Sequence, residues 1–344
     1  MAKIKVASIN GEWMNDWFTP DAQAAAFRPE FTRDGDTNNT AATAGRLAAL
    51  IRAVDADVLA LEEAPSRPAE LQVFIQQYLS AGGAPLYSAF LSDTGGAQKL
   101  ALLYKPGAVQ ARLATATEIQ DLLGPWHADV DGDALIEDYD FTRTPLVVRL
   151  TVGGHALEMI VMHTKSSFVN QGAQLWNDPA RRQEYVIQAL KARRRNATEC
   201  MRVRDYLDKR LAADRGANII VCGDLNDGPG RDYFETHYLA HNTVDVLIGS
   251  AYAPETVFLH AQHDVAVNDR YTAVFDDFVA NEPNRKLLLD HLLLSPGLRA
   301  GGLRRVADSG KVAHVEYDAQ LQHNGRRRDE RPCDHRPVSV QLQY

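Results

Sequence analysis

The chain has 344 residues, a formal net charge of −8, and 45% hydrophobic and 24% charged residues, which is the profile of a soluble globular protein able to bury a large core. That charge offers no global attraction to nucleic acid or an anionic membrane, so a polyanionic substrate has to be met by a local basic patch or a metal ion. Cys200, Cys222 and Cys333 are widely spaced, which argues against a disulfide framework or a zinc knuckle, and no window is long and apolar enough for a membrane span.

Met1-Ala2-Lys3-Ile4-Lys5-Val6 enters a strand pattern with no apolar signal core behind its lysines, so a reduced, cytoplasmic protein is expected unless a leader has been removed. Ile4 to Ile9 reads as a strand ending in Asn10-Gly11-Glu12. Residues 13–39 read as a long loop carrying Trp13, Trp17, Phe18, Phe27 and Phe31; the tryptophans serve more simply as anchors than as a stacking platform. Thr40 is placed to cap a helix with Ala44, Leu47, Ala48 and Ile51 on one face. Asp57 to Leu61 is a second strand closing on Glu62-Glu63, followed by a short helix around Glu70 to Leu79 and strands near Leu86–Leu91 and Leu100–Tyr104.

Asp129 to Asp140 reads as an acidic loop. Pro145–Val152 and Ala156–Met162 form a hairpin about Gly153-Gly154, which runs out into His163-Thr164-Lys165-Ser166-Ser167. Pro179 to about Ala213 is helical, with Pro at its start and Gly216 beyond its end. Ile219–Cys222 is a buried strand in which Cys222 is a small core residue, and it leads into Gly223-Asp224-Leu225-Asn226-Asp227. If the backbone stays extended there, Asp224 and Asn226 leave on one face; the plainer alternative is a turn whose Asp caps a helix. A looser region over Arg231–Asn284 precedes Leu287–Leu294, interrupted by Asp290-His291, and the last strand, Val338–Leu342, is entered through Cys333-Asp334-His335-Arg336-Pro337. Strand–helix–strand alternation followed by hairpins, with no linker, predicts mixed sheets covered by helices, in one domain over residues 1–344.

Several apolar strands thus end in an acid, an amide or a histidine: Asn10/Glu12, Glu62/Glu63, His163, Asp224/Asn226, Asp290/His291 and Asp334/His335. Each alone has an ordinary reading as a cap or a local hydrogen bond. If the rims converge, uncompensated carboxylates would cost several kcal/mol each, a cost that a bound divalent cation removes. Oxygen and amide ligands without thiolate favour Mg²⁺ or Mn²⁺ over zinc.

The ordered stretches Ala7-Ser8-Ile9-Asn10-Gly11, Leu59-Ala60-Leu61-Glu62-Glu63, Val161-Met162-His163-Thr164-Lys165-Ser166, Gly223-Asp224-Leu225-Asn226, Leu289-Asp290-His291-Leu292 and Asp334-His335-Arg336-Pro337-Val338 resemble the endonuclease/exonuclease/phosphatase superfamily, along the whole chain. The resemblance implies an α/β (α+β) four-layered sandwich, two mixed β-sheets packed face to face with helices outside. It implies that Asn10, Glu63 and Asp334, with Glu12 as an addition, hold Mg²⁺ or Mn²⁺. Glu62 stands where the family commonly has Gln. It further implies that Asp224 and Asn226 position the attacking water and the phosphate, that His335 sits beside the phosphate with Asp290 orienting it, and that His163 stabilises the phosphoryl oxygens or aids the leaving group. Asp224 and His335 are both candidates for taking the water's proton.

Arg143, before Pro145, is a candidate phosphate-binding fork, as is Lys165; the alternatives are ordinary surface positions. Arg193-Arg194-Arg195 reads as a solvated helix face, and Arg326-Arg327-Arg328 could flank the site. His237, His241, His260 and His263 read as surface or loop histidines. The expected function is metal-dependent hydrolysis of a phosphodiester, foremost by a nuclease acting on nucleic acid. The alternatives are a sphingomyelinase-like hydrolase of a small or lipid phosphodiester, a phosphatase, and a catalytically silent scaffold; no obligate protein partner is evident.

Overall fold

The computed structural model describes residues 1–344 apart from 22–23, 94–95, 131, 230–231 and 240–241. Two mixed sheets form its centre. The first runs in the spatial order Arg304–Arg305, Val338–Gln343, Lys3–Asn10, Val58–Ala64, Lys99–Tyr104, Ser88–Leu91, with Lys311–Val312 also pairing with Val338–Gln343. The second runs Leu259–His260, Asp290–Leu294, Ile219–Asp224, His155–His163, Leu146–Val152, Gln110–Leu113. Each sheet carries one parallel pair near its middle, between Lys3–Asn10 (β1) and Val58–Ala64 (β2) in the first, and between His155–His163 (β3) and Ile219–Asp224 (β4) in the second.

Alternation along these strands explains the layering. Ile4, Val6, Val58 and Ala60 of the first sheet meet Leu157, Met159, Ile220 and Cys222 of the second in one cluster between the sheets. The opposite faces pack on helices. Leu59 and Leu61 join Leu47, Ile51 and Phe74 from α1 (Thr40–Val54) and α2 (Pro68–Tyr78). Ile160, Ile219 and Val221 join Cys200, Val203 and Leu207 from α3 (Arg182–Ala213) and Val244 and Leu247 from α4 (Thr243–Ile248). This is the four-layered sandwich expected, and Cys222 is core.

Local differences have identifiable causes. Residues 14–17 form a 3₁₀ turn, and Glu30–Arg33 pairs with Asp36–Asn39; Trp17 is fully buried and serves as the anchor. The cap of α1 is Asn39, which accepts from the Ala42 N–H at 2.9 Å, one residue before Thr40. The acidic stretch 129–140 contains a short strand, Glu137–Tyr139, paired with Trp126–Ala128. The long helix starts at Arg182 because residues 179–181 turn first, and a short helix, Gly172–Asn177, precedes it. The looser region holds a hairpin, Ala273–Asp277 with Glu282–Leu287, which leads into β5 (Asp290–Leu294). His260 is not a free loop histidine: its Nε2 lies 2.8 Å from Nδ1 of His291, which is buried. His241 lies outside the described residues. Among the described residues no helix is long and apolar enough to cross a membrane.

Beside the second sheet, Glu235 is buried, with its carboxylate accepting from the Asp232 N–H and from the Asn242 amide. Burial, with Asp227 nearby, raises its pKa to about 7. A carboxyl with a raised folded pKa binds more protons folded than unfolded between about pH 4.5 and 7. Stability contributed by this group is therefore full at or below the acid end of that window and falls as pH rises through it. Glu235→Gln is expected to flatten that loss, leaving the variant about 1 kcal/mol more stable relative to the parent at pH 8 than at pH 5. Urea melts at the two pH values measure it, and equal pH dependence in both proteins would refute it.

Candidate active site

Register assembles the site. On the second sheet His163, Asp224 and Asp290 are cross-strand neighbours at the same rim. On the first, Asn10 pairs with Glu62 at the end of the parallel pair. A β-bulge between Leu61 and Ala64 then lets the adjacent acids diverge. Glu62 points into the core, where its Oε1 accepts from the Ser8 hydroxyl at 2.9 Å, while Glu63, at φ 55°, turns toward the rim. On β4 the rim requires Gly223 at φ 129°, because a Cβ there would lie 1.9 Å from the Met162 carbonyl oxygen.

The two rims meet. Asn10 Nδ2 donates to Asp224 Oδ2 at 3.0 Å and to Glu63 Oε1 at 3.3 Å, joining the sheets across 214 residues of sequence. His163 Nε2 lies 3.5 Å from Asp224 Oδ2 and 3.9 Å from Glu63 Oε1. His335 directs Nδ1 at Asp290 Oδ2 (2.7 Å), and its Nε2 stands 4.0 Å from Asp224 Oδ2 and 3.9 Å from Asp334 Oδ1. Asn226, at φ 50°, returns its N–H to Asp224 Oδ1 at 2.8 Å and donates its amide to the Thr164 carbonyl at 3.2 Å. Asn10, Glu63, His163, Asp224, Asp290, Asp334 and His335 are thus brought together, with Asn226 bracing the loop.

The electrostatics are those of crowded buried acids. Burial raises the Glu63 pKa to about 7, with Asp334 and Asp224 adding repulsion. Burial raises Asp224 to about 6, against the opposing pull of His335. Burial pushes His163 well below its usual value, aided by Arg143, and leaves its Nδ1 without a partner among the described residues. His335 goes the other way: burial opposes its charge, but Asp290, Asp334 and Asp224 together outweigh burial and raise its pKa.

Glu12 is committed elsewhere. Arg331 grips its carboxylate at 2.5 Å and 3.2 Å, and Arg328 Nε lies 3.1 Å away. That pairing withdraws Glu12 from any cation-holding set. It also answers the arginine run: Arg328 is buried against the Gly11 and Pro332 carbonyls, and Arg327 pairs with Asp329, so neither faces the rim. Arg143 hydrogen-bonds Gln98 and reaches toward the His163 carbonyl. The Lys165 ammonium donates to the Ser166 carbonyl at 3.1 Å.

A divalent cation suits this rim in charge and donor type: Asp334 and Asp224 raise the proton affinity of Glu63, and among the described residues no thiolate joins them. Asn10 presents its nitrogen, since its Oδ1 accepts from the Glu12 N–H at 2.9 Å. Among the described residues no three His, Cys, Asp or Glu side chains stand at the spacing of a closed metal site.

One brace carried no sequence signal. Glu199, buried on α3, accepts from the Thr142 N–H at 2.8 Å and its hydroxyl at 2.6 Å, and from the Lys165 N–H at 3.0 Å. One turn earlier Asn196 donates to the Leu225 carbonyl at 2.9 Å and the Lys165 carbonyl at 3.2 Å. One helix face therefore holds the segments bearing Arg143, His163 and Asp224. Glu199→Ala is expected to lower kcat about 10–100-fold through misplacement, with Glu199→Gln, which keeps an acceptor for Thr142, losing less. Equal losses in both variants would remove the bracing role.

A family model for the Endonuclease/Exonuclease/phosphatase family matches residues 31–312. Among solved structures, D. rerio TDP2 complexed with a single-strand DNA product aligns at 14% identity and TM-score 0.53, covering 100% of both chains. A humanized D. rerio TDP2 with 14 mutations aligns at 15% identity and TM-score 0.52, covering 99% of each chain. C. elegans TDP2 aligns at 13% identity and TM-score 0.50, covering 99% of this chain and 75% of the other. At these identities the likeness is one of fold. No curated protein sequence matches the chain.

Proposed function

Since the chain belongs to the endonuclease/exonuclease/phosphatase family, whose enzymes are phosphoester hydrolases that generally use divalent cations, we propose that it hydrolyses a phosphate ester with Mg²⁺ or Mn²⁺. The observation carrying this reading is the convergence of Asn10, Glu63, His163, Asp224 and His335 from two sheets onto one rim, within 3.0–4.0 Å of their neighbours. Glu63 and Asp334 would hold the cation, which when bound supplies charge neutralisation at the phosphoryl oxygens. Asp290 fixes the His335 ring through Nδ1, leaving Nε2 to donate to a phosphoryl oxygen. Asp224, steadied by Asn10 and the Asn226 N–H, is placed to orient the attacking water and take its proton. His163 faces the same point and stabilises the phosphoryl group or the leaving oxygen, while Arg143 and Lys165 border it as phosphate-binding groups.

Two substrate classes have separate support. A fold neighbour solved with a DNA product, together with Arg143 and Lys165, supports nucleic acid. A cavity bordering Asn226 supports a compact ester. Turnover of bis(p-nitrophenyl) phosphate by the purified protein with Mg²⁺ or Mn²⁺ is expected. No turnover of this diester, a nitrophenyl monoester or an oligonucleotide would overturn the reading.

A further inference from the structure

A cavity of about 610 Å³ is bordered by Asn226 and Asp227, the residues that follow Asp224 and Leu225. Its walls are the segments that carry the catalytic candidates: Ser167 from the loop after His163, the loop following Asp224, and Leu287–Leu289 running into Asp290. The hairpin of residues 273–287 forms its far side. At the base that hairpin is pinned to His335 by a bridge from Ala273 and to Arg336, whose N–H donates to the Thr272 carbonyl at 2.7 Å. At the tip Phe278 packs edge-on against Tyr185 of α3, with centroids 5.5 Å apart.

The lining mixes aliphatic side chains, Leu239, Val267 and Leu287–Leu289, with charged groups of both signs. Asp227, Asp232, Glu235 and Asp277 face Arg193, Arg270, Arg285 and Lys286 among the described residues. Arg193 pairs with Asp232, Arg285 with Asp277, and Arg270 donates to the His263 and Val265 carbonyls. A groove for a nucleic-acid backbone needs an uncompensated positive field; here the described lining carries four carboxylates to four cations, two of them in ion pairs. What they offer instead is donors and acceptors fixed side by side, the match for hydroxyl groups that both give and accept hydrogen bonds. Beyond the Arg193–Asp232 pair lies a hollow of about 150 Å³ bordered by Tyr185, Tyr233, Phe234 and Phe275; Arg193 already covers the Phe234 ring, and Phe275, 41% exposed, offers an open ring for the apolar face of a sugar. The volume matches a small-ligand site.

We propose that this cavity binds a neutral, hydroxyl-rich group of sugar size, the alcohol portion of a phosphate ester whose phosphorus lies at the His163–Asp224–His335 rim. The assignment rests on the phosphoester hydrolase reading above for its reaction but has a binding readout of its own. Lys286, among the cavity's lining residues, has no carboxylate partner among the described residues and rests its ammonium 4.3 Å from the Tyr271 ring centroid, a contact it would exchange for a substrate hydroxyl.

The test has two arms. Hexose phosphates, nitrophenyl esters and a short single-stranded oligonucleotide are compared by kcat/KM in the parent, in Lys286→Ala, and in Ser167→Phe, which fills the cavity from a surface loop. The expected result is a hexose-phosphate preference over the nitrophenyl ester of at least tenfold, collapsing at least tenfold in both variants. In the second arm, saturation-transfer NMR with the free hexose gives a signal in the parent and none in Ser167→Phe. Turnover of nitrophenyl esters with no hexose preference, preference for the oligonucleotide, or a hexose signal unchanged by Ser167→Phe would each overturn the proposal while leaving the hydrolase reading intact. A hexose signal that disappears in Ser167→Phe, in a protein that turns over no ester, would support the site and remove the reaction.

Discussion

Asp224→Asn is expected to lower kcat on a phosphate ester by about 10³-fold or more, roughly 4 kcal/mol of barrier, with the melting temperature nearly unchanged. The replacement keeps an oxygen for the Asn226 N–H but turns the Oδ2 acceptor of the Asn10 amide into a donor, so it removes that hydrogen bond together with the charge facing His163 and His335. His335→Gln is expected to lose activity similarly, because it removes the ring nitrogen that Asp290 orients. His335→Ala is the poorer test, since stripping a partner from the buried Asp290 carboxylate costs about 3 kcal/mol or more in stability. Either conservative variant retaining more than a tenth of parental kcat, with an intact melt, would remove Asp224 or His335 from the chemistry.

Chelation is the second large effect: EDTA is expected to abolish turnover, with Mg²⁺ or Mn²⁺ restoring it, and the cation should raise the melting temperature. Glu63→Gln separates charge relief from catalysis. At pH 8 the parent carries an ionised Glu63 whose folded pKa is near 7, among repelling acids, so its charge costs stability that glutamine does not. The cation-free variant should therefore melt about 2 °C higher than the cation-free parent, yet gain less from added Mn²⁺ and turn over at least about 100-fold more slowly. A variant that melts lower without cation, or gains as much from Mn²⁺ as the parent, would argue against Glu63 as a cation-holding group.

Most of the architecture was legible because strands in a two-sheet sandwich are buried by alternation. Runs such as Ile219–Cys222 and Val161–Met162 therefore announce themselves, and polar residues that interrupt them mark the rim. Residues whose role depends on a distant segment were not legible. Glu12 reads as one more acid near Asn10, and only folding places Arg328 and Arg331, 316 and 319 positions away, against it. Glu199 sits in a helix dense with charges, where nothing local separates the one buried acid from its solvated neighbours. The third arginine of residues 326–328 is interior for the same reason, and the pairing of His260 with His291 required the register of a two-residue strand.

The strand Val338–Gln343 lies in the interior of the first sheet, antiparallel to β1, and the residues just before it supply Asp334 and His335. Without these residues one edge of β1 has no partner, and the rim keeps His163 but lacks His335. A chain lacking the residues from Asp334 onward would lose this interior strand together with Asp334 and His335.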